Sequence, residues 1–212
     1  MNLIDTTIEF VKLTLEGAEG GHDWWHIHRV LENTRFIAPR ESADIQTCEL
    51  AALLHDIADP KFHNGDEKKG SLIAFNFLSK QSVPKKQIET VIDIIENISF
   101  SKGTNANRPK CLELQVVQDA DRLDAMGAIG IARAFNYGGF KNRAIYDPAF
   151  PLQNYANSTE YRNSSAPTIN HFYEKLLLLK DLMNTTTGKA MANERHEFML
   201  VYLEQFKKEV KH

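Results

Sequence analysis

The sequence predicts an all-α protein, and three observations carry that prediction. Apolar residues recur at three- and four-residue intervals, as at Ile4, Ile8, Val11 and Leu15, or at Ile88, Val91, Ile92 and Ile95, which is the period of one helix face. The alternation of a half-buried strand is weak throughout, and no repeat or low-complexity block interrupts the helical pattern. Finally, Leu50-Ala51-Ala52-Leu53-Leu54 carries no polar side chain, yet it runs without a break into His55, Asp56 and Asp59. An apolar helix thus ends in groups that are costly to bury unless they are paired, hydrogen-bonded or bound to a metal.

The elements follow in order. The stripe from Ile4 to Leu15 makes a first helix, closed by Gly17 and followed by the flexible Gly20-Gly21 turn. Asp23 is placed to cap a second helix with Trp24 and Trp25 in its first turn. The inward face of that helix reads His26, Val30, Asn33 and Ile37, and Pro39 ends it. His22 and His26 have the spacing of a helical zinc pair, but His22 follows two glycines and precedes the helix, so that reading is set aside. Of His26 and His28, the stripe through Val30 and Ile37 selects His26 for the interior.

A third helix is expected over 42–59, stopped by Pro60, with a polar turn at 61–66. A short helix carries Leu72, Ile73, Phe75, Phe77 and Leu78 as its apolar residues. Pro84 suits the first turn of the next, whose core face is Ile88, Val91, Ile92, Ile95 and Ile98. A loop over 99–109 holds Lys102 and Arg108. The segment 112–137 is again helical, through Val116, Ala120, Leu123 and Ile131, with Asp119, Asp121 and Asp124 embedded in it. Gly127 and Gly130 are poor helix formers, and their presence points to close packing against another backbone. A long loop over 138–168 contains Lys141, Arg143, Phe140 and Tyr146, a composition that favours a functional loop. Two helices end the chain, one with His171, Phe172, Lys175, Leu176 and Leu179, the other over 189–210.

A length of 212 residues suits one domain, 1–212. The net charge of -3 lacks the basic footprint of a nucleic-acid binder. No apolar run reaches membrane-spanning length, and the N-terminal residues show no signal-peptide pattern. Cys48 and Cys111 sit in apolar helical contexts and read as buried free thiols. The expectation is a cytoplasmic protein whose partner is a small molecule, with the oligomeric state left open.

Together, His26-x-x-Arg29-Val30, His55-Asp56 and Ala120-Asp121-Arg122-Leu123, in this order and spacing, resemble the HD-domain metal-dependent phosphohydrolases. The motif match covers about residues 20–135. His171-Phe172-x-Glu174-Lys175-Leu176 is similar to the small stand-alone bacterial branch of that superfamily, some of whose members are nucleotide pyrophosphohydrolases. The resemblance implies an HD-type helical bundle with a metal site between helices. Its implied ligands are His26, His55, Asp56 and Asp121, with Asp124 the rival for the distal position. Asp59 falls where relatives place an acid that orients the attacking water, and Asp56 would serve both metal and catalysis. The Gly-Tyr-Pro signature of the cyclic-dinucleotide branch is absent.

Two imidazoles and two carboxylates suit a divalent transition metal, manganese first, with iron, cobalt, nickel and zinc as alternatives. Phosphoryl transfer also needs cations near the phosphates. The candidates for substrate contact are Lys61, His63, Lys102, Arg122, Lys141 and Arg143, with Glu96, His171 and Lys175 as further pocket residues. The expected activity is cleavage of nucleoside di- or triphosphates between the α and β phosphates. The alternatives are a 5′-nucleotidase-type phosphomonoesterase, a non-catalytic metal or nucleotide sensor, and a structural helical domain whose His and Asp residues only hydrogen-bond.

Overall fold

Asn2 and Asp5 start the first helix by capping each other. The Asn2 side chain accepts from the Asp5 N–H at 2.9 Å, and the Asp5 carboxylate accepts from the Asn2 N–H at 3.4 Å. The computed structural model describes residues 2–17, 23–57, 68–98, 111–153, 155, 160–161 and 164–210. Among these are nine α-helices and one 3-10 helix, and no strand. The all-α prediction therefore holds. No helix among the described residues is long and apolar enough to cross a membrane. The chain forms two compact units, Met1–Asp121 and Arg122–His212.

The first unit holds α1 (Leu3–Thr14), α2 (Trp24–Ile37), α3 (Ile45–Leu54), α4 (Lys69–Leu78), α5 (Lys85–Asn97) and most of α6 (Leu112–Asp124). Its centre is the second half of α3, an unbroken apolar run suited to the interior, while Gln46 is exposed and Glu49 half-buried in the first half. Leu50 to Leu54 are all fully buried, and α1, α2 and α5 pack around them. Each leucine buried there contributes roughly 2 kcal/mol. Asn33 ties α2 to α6 by donating from its side chain to the Ala120 carbonyl at 3.1 Å.

The third helix is shorter than the predicted 42–59. It begins at Ile45 because the Asp44 carboxylate accepts from the Thr47 N–H at 2.7 Å, and because Ser42 is in the left-handed region at φ 61°. It ends at Leu54, so His55 and Asp56 lie in the turn that closes it rather than within the helix. In α4 burial does not follow hydrophobicity. Gly70, Ser71, Ala74 and Leu78 face inward, while Leu72 and Phe75 are exposed. Phe77 is half-buried and stacks on Phe10 with ring centroids 4.1 Å apart. In α5, Ile94 is buried and Ile92 only half-buried. In α1 the buried residues are Thr7 and Val11, flanked by half-buried Ile4 and Ile8. The turn at 61–66 and the loop at 99–109 lie outside the described residues.

The second unit holds α7 (Gly127–Phe140), α8 (Asn170–Glu174), a 3-10 helix (Leu176–Leu182) and α9 (Thr186–Glu209). The helical pattern over 112–137 is broken at Ala125 and Met126, where Gly127 takes φ +67°. A Cβ on Gly130 would stand 2.3 Å from the Ala125 carbonyl oxygen, so the expected close backbone approach is the chain's own corner before α7. The expected helix around His171 is interrupted at Lys175 (φ -144°, ψ -56°) and continues as the 3-10 segment. The last helix begins at Thr186, before the predicted 189, because the Thr185 hydroxyl accepts from the Gly188 N–H at 2.9 Å. The segment after α7 is tied back by the Thr168 N–H to the Ala144 carbonyl at 2.8 Å and the Ile169 N–H to the Ile145 carbonyl at 3.1 Å.

Candidate metal centre

His26 is delivered by the first turn of α2, where the Asp23 carboxylate accepts its N–H at 3.0 Å and fixes the start of the helix. The side chain is 2% exposed and lies on the same stripe as Val30 and Ile37. His28 is half-buried, as the choice between the two histidines predicted. His55 arrives from the C-terminal end of α3. Its Nδ1 lies 2.9 Å from the Ala52 carbonyl oxygen. A carbonyl oxygen only accepts, so Nδ1 carries the proton, and in the neutral ring Nε2 keeps its lone pair. Asp56 follows in the same turn, and Asp121 comes from α6.

These four side chains converge within the first unit. The Nε2 atoms of His26 and His55 are 3.4 Å apart, with the rings edge-on at 68°. Asp121 Oδ1 is 3.6 Å from His26 Nε2 and 3.8 Å from His55 Nε2. Asp56 Oδ2 is 4.0 Å from His26 Nε2. Ligand atoms of His26, His55 and Asp56 all lie within 4.8 Å of one another. Two donors bound to one ion at about 2.1 Å stand roughly 3.0–4.2 Å apart, and His26, His55 and Asp56 form a group that could hold a metal ion, with Asp121 beside both histidines. The fixed tautomer of His55 strengthens the fit, because its second nitrogen is held by a backbone carbonyl, as ligating histidines are.

Asp124, the rival for the distal place, is occupied elsewhere. It is 1% exposed, its carboxylate accepts from Arg133 Nη1 at 2.7 Å, and the same nitrogen reaches its backbone carbonyl at 3.2 Å. Spacing on α6 did not reveal this partner. The signal available was that Arg133 is the one charge on the apolar helix α7. Asn33 was placed on the inward face, but its bond to the peptide preceding Asp121 was not foreseen.

Arg122 donates to the Leu182 carbonyl. Lys141 and Arg143 both lie 5.7 Å from the ring of Tyr137. Glu96 is exposed. Asp59, Lys61, His63 and Lys102 lie outside the described residues. Both cysteines are free, Cys48 buried and Cys111 half-buried, and burial pushes the Cys48 thiol well up from its ordinary pKa.

In the second unit His171 bonds to Tyr161 through Nδ1. Burial, and after it the neighbouring Lys175 and Arg143, lower the pKa of His171 from 6.5 to about 3. The unfolded chain therefore takes up a proton at His171 as pH falls through 6.5, whereas the folded chain resists until about 3. The stability contributed by the neutral ring is complete above pH 6.5 and is lost progressively on acidification toward 3. Thermal melts across that range should show the melting temperature of the unmodified protein falling more steeply than that of His171→Gln. Parallel slopes would contradict the assignment.

Residues 24–126 match the HD domain family. The chain belongs to that family, and it is a metal-dependent hydrolase. It is 38% identical to the YpgQ protein of Bacillus subtilis (strain 168) over 95% of this chain and 90% of that protein. The crystal structure of YpgQ in complex with ADP superposes with a TM-score of 0.78 at 37% identity, covering 97% of this chain and 94% of that one. A crystal structure of an HD-superfamily hydrolase from Bacillus thuringiensis gives 0.78 at 43% identity, covering 98% and 96%. The crystal structure of a protein from Lactobacillus plantarum gives 0.82 at 38% identity, with the same coverage.

Proposed function

We propose that this hydrolase is a phosphohydrolase that cleaves nucleoside di- and triphosphates between the α and β phosphates, with manganese as its metal and the cytoplasm as its compartment. The observation that carries the reading is the gathering of His55, Asp56 and Asp121 around His26, at 3.4, 4.0 and 3.6 Å from its Nε2, with Asp121 3.8 Å from His55 Nε2. The nucleotide class is supported by the relative YpgQ, crystallised with ADP.

In this reading His26, His55, Asp56 and Asp121 hold the ion. The chemistry such an ion supplies when bound is polarisation of a phosphoryl oxygen and acidification of a water. Asp59 would orient a water there and take its proton. The Ala52 carbonyl keeps the His55 ring in one tautomer and one orientation. Lys61, His63, Lys102, Arg122, Lys141 and Arg143 are the proposed substrate contacts, because a polyphosphate chain needs its charge neutralised over a longer reach than a single phosphate does. The net charge of -3 agrees with a small-molecule substrate rather than a nucleic acid.

Product analysis tests the reading. Incubated with dATP and a panel of divalent metals, the protein should release dAMP and pyrophosphate. Activity confined to nucleoside monophosphates, with inorganic phosphate the only product released, would overturn it in favour of a 5′-nucleotidase.

A further inference from the structure

Asn33 stands between Val30 and Ile37 on the inward stripe of α2, two helical turns after His26. It is 8% exposed. An amide side chain is costly to bury unless its groups are bonded, and a leucine would fill that place in the stripe without the cost. The amide is put to use across the helix interface, where its Nδ2 donates to the Ala120 carbonyl of α6 at 3.1 Å.

The acceptor is the peptide group that leads into Asp121. A peptide group is planar from one Cα to the next, so a donor that holds the Ala120 oxygen also holds the nitrogen and Cα of Asp121. The Asp121 side chain is 36% exposed. With that much of its surface open, packing alone does not fix where its carboxylate stands, and the backbone has to. One stripe of α2 thus meets two consecutive residues of α6: the Asn33 amide bonds the Ala120 oxygen, and His26 Nε2 lies 3.6 Å from Asp121 Oδ1. All four residues belong to the first unit. Two further ties hold α6, from the Asp44 N–H to the Glu113 carboxylate and from the Gln118 side chain to the Asn97 carbonyl, each at 3.1 Å. Both act earlier on the helix, and neither touches the peptide of a candidate ligand.

We propose that Asn33 is a positioning residue of the metal centre, which sets the place of Asp121 beside His26 and His55 through its bond to the Ala120 carbonyl. The inference rests on the reading in which Asp121 holds the ion. A ligand already in place need not be ordered when the metal arrives, and partners that orient ligating groups are worth about 10–100-fold in metal affinity.

The test is calorimetric titration of the EDTA-stripped full chain with manganese. Two variants remove the donor: Asn33→Ala leaves a gap, and Asn33→Leu fills the space should the alanine variant not fold. Circular dichroism verifies the helices of each. The folded variants should bind manganese about 10–100-fold more weakly than the unmodified protein. Ile37→Val, on the same stripe, should lower the melting temperature and leave the affinity unchanged. An equal fall in affinity there would mark the effect as one of general stability and overturn the inference. Coupling to Asp121 is read by combining Asn33→Leu with Asp121→Asn. A residue that acts through Asp121 adds no loss once that carboxylate is gone, so the double variant should match Asp121→Asn within about twofold. Losses that multiply in the double variant would overturn the inference. Weakened binding in Asp121→Asn with unaltered binding in Asn33→Leu sinks the inference alone, whereas unaltered binding in Asp121→Asn removes Asp121 from the centre and the inference with it.

Discussion

Replacing Asp56 by alanine is expected to abolish both metal retention and hydrolysis while the helical fold survives. Asp56 lies in the turn that closes α3, 4.0 Å from His26 Nε2, with its side chain 16% exposed. The residues on which the core depends, Leu50 to Leu54, precede it and are untouched. Removing the carboxylate leaves two imidazoles and one acid, a weaker set for a divalent ion. Turnover should fall to roughly a thousandth or less, because the acidified water is lost along with the ion. Asp59→Ala should behave differently, with the metal retained and turnover lowered. Metal analysis after gel filtration, paired with a dATP assay, separates the two variants. Equal metal loss in both would show that Asp56 and Asp59 have been given the wrong roles.

The second large effect separates two aspartates one helical turn apart. Asp121→Asn should weaken metal binding with little change in melting temperature, since its side chain is 36% exposed and lies near His26 and His55. Asp124→Asn should keep the metal and destabilise the fold. Asp124 is buried with its carboxylate 2.7 Å from Arg133, and breaking a buried pair by removing one partner costs about 3–5 kcal/mol. Metal titration and denaturant unfolding of the two variants provide the comparison. Metal loss in Asp124→Asn alone would move the distal ligand to that residue.

The sequence made three of the four converging side chains legible by burial logic alone. His26 was selected over His28 because it continues the stripe of Val30 and Ile37, and His55-Asp56 stood out because an apolar run ends on them. The fourth was not legible in the same way. Asp121 and Asp124 share a helical pattern, and choosing between them took the Ala-Asp-Arg-Leu frame of the family resemblance. The partner that occupies Asp124 lies beyond the corner at Ala125 and Met126, and helical periodicity runs through that corner as if it were straight. In α4 hydrophobicity does not track burial: Gly70, Ser71 and Ala74 pack inward with Leu78, and Leu72 and Phe75 are turned out. The cluster around His171 draws on residues 143, 155, 161 and 164, from a segment without helical period. Local patterns say nothing about which parts of such a segment meet.

The most direct measurement of the central claim is pulsed electron paramagnetic resonance on the manganese-loaded protein, with His26→Gln and His55→Gln alongside. If His26, His55, Asp56 and Asp121 hold one ion, the unmodified protein will show coupling to two imidazole nitrogens, and each variant that still binds manganese will show one. A manganese signal without nitrogen coupling, or coupling unchanged by both substitutions, would contradict it.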